Sequence, residues 1–148
     1  MTRVQRRRVV NASQAQVWET AGDLRRLSRW WPRVVRVESI DASGFTEVLR
    51  TDRGRNLRAD HVLEEVDPGR LWRARQTLDD GPFASIFALS VKWVALEPAA
   101  DGSTAVTVGI ERRLRGRARL GGLLLRRAVR RQVSEALDAL VASLATDR

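Results

Sequence analysis

Hydrophobic and polar positions follow three successive patterns along the chain. Residues 3–10 mix valines with long arginines, which is typical of a strand. Residues 34–114 show runs of two-residue alternation separated by turns rich in Asp, Gly and Pro, the pattern of consecutive antiparallel hairpins. Residues 117–145 carry leucine, valine and alanine at steps of three and four, which predicts one long amphipathic helix that must bury its apolar face.

Two short helices are predicted between the first strand and the hairpins. Asn11 or Ser13 can cap the first of them, and Gln16 lies three residues after Ser13, in the capping-box position. Asp23 can cap the second helix, which ends before Pro32 because proline stops a helix. The chain therefore predicts a pair of short helices joined by a tight turn.

The predicted strands form one antiparallel sheet. Six of them follow Pro32, and with residues 3–10 they make seven; their bounds are 34–39, 45–51, 56–66, 71–78, 86–96 and 105–114. Turns at 67–69 and 79–82 are the clearest breaks between them. A single helix cannot fill a strongly curved sheet, so an α+β fold with a cavity between the sheet and the C-terminal helix is predicted. Residues 1–148 are expected to form one domain.

The composition removes several kinds of chemistry. The chain has no cysteine, no tyrosine and a single histidine, His61. Disulfides, thiolate metal sites and cysteine nucleophiles are thereby excluded, and one histidine without clustered carboxylates gives no expectation of a metal or cofactor. No apolar run reaches the length of a membrane span, and no apolar stretch follows the basic N-terminus as it would in a signal peptide. A cytoplasmic protein is expected.

The net positive charge is large, and almost all of the basic residues are arginine. The chain has 27 basic and 18 acidic residues, a net charge of +9, and Lys92 is the sole lysine. Replacement of nearly all lysine by arginine indicates a compositional bias, so the charge is a weak sign of nucleic-acid binding.

One segment concentrates charge beyond that bias. Residues 112–131 hold nine arginines and no acid. An anionic partner such as acidic lipid headgroups, an acyl carrier protein or nucleic acid would fit this surface, and the alternative is a solvated face balanced by acids of neighbouring strands. Nucleic acid is disfavoured because the aromatic residues are needed in the core. The helical residues proposed to carry such binding are Arg126, Arg127, Arg130 and Arg131.

Short motifs spread over the chain carry a family resemblance. They are Asn11-Ala12-Ser13-x-x-x-Val17-Trp18, Asp23-Leu24, Trp30-Trp31-Pro32, Val66-Asp67-Pro68-Gly69-Arg70-Leu71, Gly81-Pro82-Phe83, and Glu97-Pro98 through Gly102-Ser103-Thr104. With them the chain resembles the START-like (SRPBCC) superfamily, polyketide cyclase/dehydrase branch. The resemblance implies a helix-grip fold, in which the sheet wraps the C-terminal helix around a deep apolar cavity and the two short helices lie at one end.

What this superfamily shares is the cavity, since it has no single catalytic motif. We therefore expect binding, with transport or sequestration as its purpose, of a small hydrophobic ligand such as a lipid, an isoprenoid or a polyketide-like molecule. A cyclase or dehydrase using the same cavity is the alternative, although cyclases of this kind use a tyrosine and this chain has none. An interaction module that uses the arginine-rich 112–131 surface is the second alternative. The oligomeric state is expected to be monomer or homodimer.

His61 is the one acid/base candidate. Leu57, Ala59, His61 and Leu63 form the more apolar face of their strand, which points His61 toward the cavity. A bulge would reverse that orientation, and a lone polar residue of a strand is the alternative reading. Core packing is likewise the alternative for the tryptophans. The residues expected to line the cavity are Trp30, Trp31, His61, Trp72, Phe87, Trp93, Leu120 and Leu124.

Overall fold

The computed structural model of the chain describes residues 1–79 and 83–146, without the side chain of Arg117. The turn predicted at 79–82 lies largely outside these residues. The helices are α1 (Gln14–Ala21), α2 (Leu27–Trp30) and α3 (Gly122–Thr146). The strands are β1 (Thr2–Val10), β2 (Val34–Glu38), β3 (Gly44–Arg50), β4 (Asn56–Asp67), β5 (Leu71–Gln76), β6 (Phe87–Pro98) and β7 (Thr104–Leu114). Short 3₁₀ segments span Leu24–Arg26, Ala100–Gly102 and Gly116–Gly121.

The seven strands form one antiparallel sheet in the order β1-β7-β6-β5-β4-β3-β2. Bulges interrupt the pairing of β2 with β3, of β4 with β5, and of β6 with β7. Because a bulge bends its strand and increases the local twist, these breaks curve the sheet. Helix α3 lies on the inner face against β1 and β7, and α2 packs on α3. The predicted α+β fold is confirmed.

The N-terminus of α1 is capped as predicted. Ser13 is the N-cap: its Oγ accepts from the backbone N–H of Gln16 at 3.2 Å, and the Gln16 Oε1 accepts from the Ser13 N–H at 2.9 Å. The Asp23 carboxylate accepts from the Arg25 N–H at 3.1 Å and caps the 3₁₀ turn that leads into α2. Both short helices are thus started by side chains that satisfy otherwise unpaired backbone donors.

The start of the C-terminal helix differs from the prediction. A 3₁₀ segment precedes α3, and the α-helix begins at Gly122 rather than at residue 117. Two consecutive glycines disfavour an α-helix, which explains the irregular first turns. Leu120 and Leu123 are 94% and 88% exposed, so the apolar stripe is not buried at this end. Burial by α3 begins at Val129 and continues to Leu144.

The core lies between α3 and the inner rows of the central strands. Two side-chain hydrogen bonds fix the first helical region to the sheet: the Trp72 Nε1–H donates to the carbonyl of Ala21, and the Thr104 hydroxyl donates to the carbonyl of Ala12, both at 2.7 Å. Among the described helices, none has the length and apolar character that crossing a bilayer requires.

Candidate functional site

Five adjacent strands place polar side chains together on the inner face of the sheet. The antiparallel register sets His61 opposite Gln76 and Ser90 opposite Arg112. Directly paired residues lie on the same face, so these side chains all point toward α3. We call this group the polar row; it consists of Glu47 on β3, His61 on β4, Gln76 on β5, Ser90 and Lys92 on β6, and Arg112 on β7.

A buried ion pair forms the centre of the polar row. The Lys92 ammonium contacts the Glu47 carboxylate, and both side chains are almost fully buried. The Lys92 Nζ also lies 4.3 Å from the ring centre of Trp31, in a cation–π contact. Burial lowers the pKa of Lys92, and the charge of Glu47 opposes that shift. Glu47 is therefore the counterion that keeps a charged amine inside the protein.

His61 presents a neutral imidazole beside this pair. Its Nδ1 lies 3.1 Å from the carbonyl oxygen of Ala59, the shorter of the two contacts that its ring nitrogens make with accepting oxygens, which favours the Nδ1–H tautomer. Its Nε2 lies 3.4 Å from Glu47 Oε1, and the ring stacks on Phe45 with centres 4.9 Å apart. Burial lowers the pKa of His61 to about 4, with the Glu47 charge opposing. At neutral pH its Nε2 therefore offers a lone pair to the interior.

Arg112 closes the row beside α3. Its Nε–H donates to Ser90 Oγ at 3.2 Å, and its Nη1–H donates to Gln132 Oε1 at 3.0 Å. The guanidinium lies over the Phe87 ring at 5.3 Å. Among the residues that the structure describes, no carboxylate lies within ion-pair distance of it. Burial lowers the pKa of Arg112 to about 10, with the Glu47 charge opposing, so the group stays charged at neutral pH.

Two adjoining cavities meet at Arg112. The inner cavity, about 40 Å³, is lined by the polar row, Trp31 and Gln132, and has room for one water-sized group. The outer cavity, about 340 Å³, has the size of a small-molecule pocket. Four residues line both of them: Leu49, Gln76, Arg112 and Gln132. Arg112 is half-buried and lines both cavities.

The outer cavity is apolar on one side. Leu49 and Leu57 of β3 and β4, together with Phe83 and Phe87, supply its hydrophobic wall. Pro32 and Arg33, which follow α2, form part of its rim. Arg33, Arg50, Thr51 and Asp52 supply polar groups at its other side, and Arg112 lies where it adjoins the inner cavity.

The structure brings some of the predicted lining residues to these cavities. Trp31 and His61 line the inner cavity, and Phe87 lines the outer one. His61 faces inward, the orientation that the strand pattern predicts. Leu124 lines a neighbouring surface cavity of about 390 Å³ that shares Pro32, Arg33 and Gln132 with the rest of the site.

Other predicted lining residues are placed elsewhere. Trp93 lies on the outer face of the sheet, where Arg3 and Arg73 stack on its ring at 4.9 and 5.2 Å, so its expected place in the cavity wall is wrong. The reason is parity: Trp93 alternates with the inward-facing Lys92 and Val94. Leu120 projects into solvent rather than into the cavity.

Trp30 and Trp72 pack in the core. Both are about 2% exposed, and Trp72 is held by its hydrogen bond to Ala21. Trp30 meets Trp31 edge to face, with ring centres 5.4 Å apart. The indole N–H of Trp30 has no hydrogen-bond partner among the described residues. Core packing, the alternative left open by the sequence, describes these two tryptophans.

The sequence interpretation overlooked most of the polar row. Glu47, Gln76, Lys92 and Arg112 were not among the predicted lining residues, nor was Gln132 of α3. A signal existed on β7, where the inward positions Val106, Val108 and Ile110 are apolar and Arg112 continues the same parity. A charged residue in an otherwise buried row is the informative exception.

The arginine cluster lies on the exposed side of α3. Arg126, Arg127, Arg130 and Arg131 are all exposed, and within the described chain none of them forms an ion pair. Arg127 and Arg131 line the surface cavity beside Leu124. Charge and exposed leucines therefore occur together next to the outer cavity.

Metal binding finds no support among residues 1–79 and 83–146. No group of three or more His, Asp or Glu side chains in this part of the chain is placed to hold a metal ion.

The fold defines a class of protein in which a curved antiparallel sheet wraps a long C-terminal helix. A family model described as polyketide cyclase / dehydrase and lipid transport matches residues 1–145. The chain belongs to that family, which confirms the resemblance seen in its motifs. A search of curated proteins finds no match.

Solved structures share the fold across the whole chain at low sequence identity. A START superfamily protein from Mycobacterium smegmatis is 12% identical with a TM-score of 0.78, and all of both chains is covered. A conserved protein from Geobacillus kaustophilus is 15% identical with a TM-score of 0.78, covering 97% of this chain and 95% of that one. The Zhui aromatase/cyclase from Streptomyces sp. R1128 is 19% identical with a TM-score of 0.74, covering 97% of this chain and 93% of that one.

Proposed function

We propose that this protein binds a small hydrophobic ligand in the outer cavity, as a carrier or a sequestering protein. The observation that carries the proposal is the cavity of about 340 Å³, apolar on one wall and open to the polar row at its inner end. Membership of a family that includes lipid transport supports the same reading. A lipid, an isoprenoid or a polyketide-like molecule has the required apolar body.

The contacts supply both affinity and orientation. The ligand body would lie against Leu49, Leu57, Phe83 and Phe87, where burial of apolar surface contributes roughly 25 cal/mol per Å². A polar end would reach Arg112 and the inner cavity. A ligand that is apolar throughout would leave those polar groups without water or a partner, which costs free energy.

Native mass spectrometry and an environment-sensitive apolar dye test this proposal. We expect the dye to bind the wild-type protein, and Leu57→Trp, which fills the chamber, to reduce binding at least tenfold. Val62→Trp is the matched control, because Val62 lies on the same strand and is exposed. A protein that binds neither dye nor lipid, or equal binding by the two variants, would contradict the proposal.

A cyclase or dehydrase activity is the second candidate, favoured by the neutral imidazole of His61. His61 lies in the inner cavity, so a proton would pass from a carbon between two carbonyl groups to its Nε2 through one bridging water, and Arg112 can stabilise the resulting enolate in the outer cavity. The imidazolium returns the proton, so no co-reactant is needed.

Exchange of deuterium into a β-keto thioester probe, followed by NMR, tests that candidate. We expect wild-type protein to accelerate exchange and His61→Gln to lose most of the acceleration while retaining dye binding. Exchange no faster than in buffer would reject the enzyme and leave the binding proposal in place.

The surface beside the cavity supports a third proposal: the protein delivers its ligand at an anionic lipid surface. Leu120, Leu123 and Leu124 project next to Arg126, Arg127, Arg130 and Arg131, which gives an apolar tip surrounded by positive charge. Such a surface combines shallow insertion with attraction to acidic headgroups.

Sedimentation with vesicles tests this surface. We expect binding to vesicles of phosphatidylglycerol and phosphatidylcholine but not of phosphatidylcholine alone, and a loss of binding with added salt. Replacing the four helix arginines by glutamine should abolish it, whereas the loop control Arg53→Gln/Arg55→Gln should not. Binding to an acyl carrier protein without vesicle binding would assign the arginines to a protein partner instead.

A further inference from the structure

The ligand chemistry can be narrowed further from the charges of the polar row. We infer that the ligand carries a carboxylate, and that Arg112 binds this carboxylate at the junction of the two cavities. This inference rests on the proposed binding function and specifies its ligand class: an apolar monocarboxylic acid.

The charges of the polar row do not cancel. Among the described residues of the polar row, Lys92 and Arg112 are cations, Glu47 is the single carboxylate, and His61 is neutral at physiological pH. The outer cavity adds Asp52, which pairs with Arg33 at 2.7 Å, and Arg50, which is exposed to solvent. Glu47 is already in contact with the Lys92 ammonium, so one positive charge remains, and it lies on Arg112. A partly desolvated cation without a counterion is costly, and a ligand that supplies a negative charge reduces that cost.

The guanidinium is arranged to receive such a group. Ser90 and Gln132 are neutral and each accept from one N–H of Arg112, and its remaining N–H groups have no hydrogen-bond partner among the described residues. Their planar fork matches the two oxygens of a carboxylate. Because Arg112 lines both cavities, a ligand in the outer chamber can reach it without displacing a protein carboxylate.

Space and charge together favour a carboxylate over a larger anion. The inner cavity holds only a water-sized group, about 40 Å³, which suits one carboxylate oxygen or a bridging water. A phosphate monoester carries nearly two negative charges at neutral pH and would exceed the single uncompensated positive charge.

Isothermal titration with three probes of equal chain length tests the inference: dodecanoate, methyl dodecanoate and dodecanol, at pH 7.5. We expect the wild-type protein to bind dodecanoate about tenfold to a hundredfold more tightly than the ester or the alcohol. Arg112→Gln should remove this preference while still binding the ester. Arg113→Gln, which neutralises the next and exposed arginine of the same strand, should keep it.

The comparison of probes on the wild-type protein needs no variant, so it stands even if Arg112→Gln does not fold. Equal affinity for acid and ester would overturn the carboxylate inference and leave the hydrophobic-ligand proposal intact. Binding of none of the three would count against both. Arg112→Lys keeps the charge but loses the fork, so it should retain a weaker preference for the acid; an unchanged preference in Arg112→Gln would assign the anion to another residue.

Discussion

Glu47 on β3 and Lys92 on β6 form an ion pair although β4 and β5 separate their strands in the sheet. In a flat sheet, three inter-strand spacings would hold the two backbones about 14 Å apart, with the side chains standing parallel rather than meeting. The contact therefore depends on curvature, which tilts β3 and β6 toward each other around α3. The same curvature gathers the polar row and leaves the chamber beside it.

Breaking this ion pair should destabilise the protein strongly. Glu47→Gln leaves Lys92 buried without its counterion, so we expect the free energy of unfolding to fall by about 3–5 kcal/mol. Urea denaturation measures the change. Glu19→Gln on the exposed side of α1 is the control and should cost little. The double variant Glu47→Leu/Lys92→Met should be more stable than Glu47→Gln; equal stability would show that the pairing of charges is not the cause.

Lys92 can be observed directly because it is the sole lysine of the chain. NMR of lysine labelled with ¹³C should give one side-chain signal, and its titration should report a pKa below the ordinary value of 10.5, since burial disfavours the charged amine. Glu47→Gln should lower the pKa of Lys92 further. An ordinary Lys92 pKa in the folded wild-type protein would contradict its burial.

The pH dependence of stability should include a contribution from His61. Its pKa is about 4 in the folded protein and near 6.5 when unfolded, so the unfolded chain binds the proton first as the pH falls. This contribution to the free energy of unfolding is fully present above pH 6.5 and is lost progressively toward pH 4. The loss reaches about 2 kcal/mol at pH 5.

Urea denaturation of wild type and His61→Gln at pH 7.5 and pH 5 measures this contribution. The wild-type protein should lose about 2 kcal/mol more than the variant between the two pH values. The charged groups that face His61 are Glu47, Lys92 and Asp60, and all three are present in both proteins. An equal loss in the two proteins would show that His61 titrates normally.

Gly109 is required by the packing of Trp93 across the strand pair. A Cβ at Gly109 would lie 2.2 Å from ring atoms of Trp93, far inside van der Waals contact. We expect Gly109→Ala to lower the free energy of unfolding by about 1–3 kcal/mol in thermal or urea denaturation.

Gly121→Ala is the matched control for that substitution, because no atom lies within 4 Å of a Cβ at Gly121. It should be neutral or slightly stabilising, since alanine favours a helical start. Adding Trp93→Leu to Gly109→Ala should reduce the additional cost of the alanine. If Gly109→Ala is as stable as the wild type, the Trp93 ring can move aside.

The element order could be predicted because its signals are local. Ser13 and Gln16 predict the cap of α1 from a span of four residues. The two-residue period of β4 predicts the inward orientation of His61. Trp93 was misplaced because β6 has apolar residues on both faces, so its parity is ambiguous in the sequence. Leu120 continues the helical pattern of α3, but only the structure shows that this end extends beyond the sheet.

The polar row could not be predicted in the same way. Its members come from five strands, and their meeting depends on register, bulges and curvature, none of which a single strand records. Arg112 shows the difficulty: it belongs to an arginine-rich segment whose other members are on the surface. In the sequence it looks like its neighbour Arg113, yet the two point to opposite faces of β7.

The position of β1 at the edge of the sheet gives its arginines a role in preventing aggregation. β1 is an edge strand, paired with β7 on one side only, so its other side presents unpaired N–H and C=O groups. Such an edge invites a strand from a second molecule and, with it, ordered aggregation. The long, exposed cationic side chains of Arg6 and Arg7 repel an identical edge at close approach. Positive charge that plays no part in ligand binding thus helps to keep molecules of this protein apart.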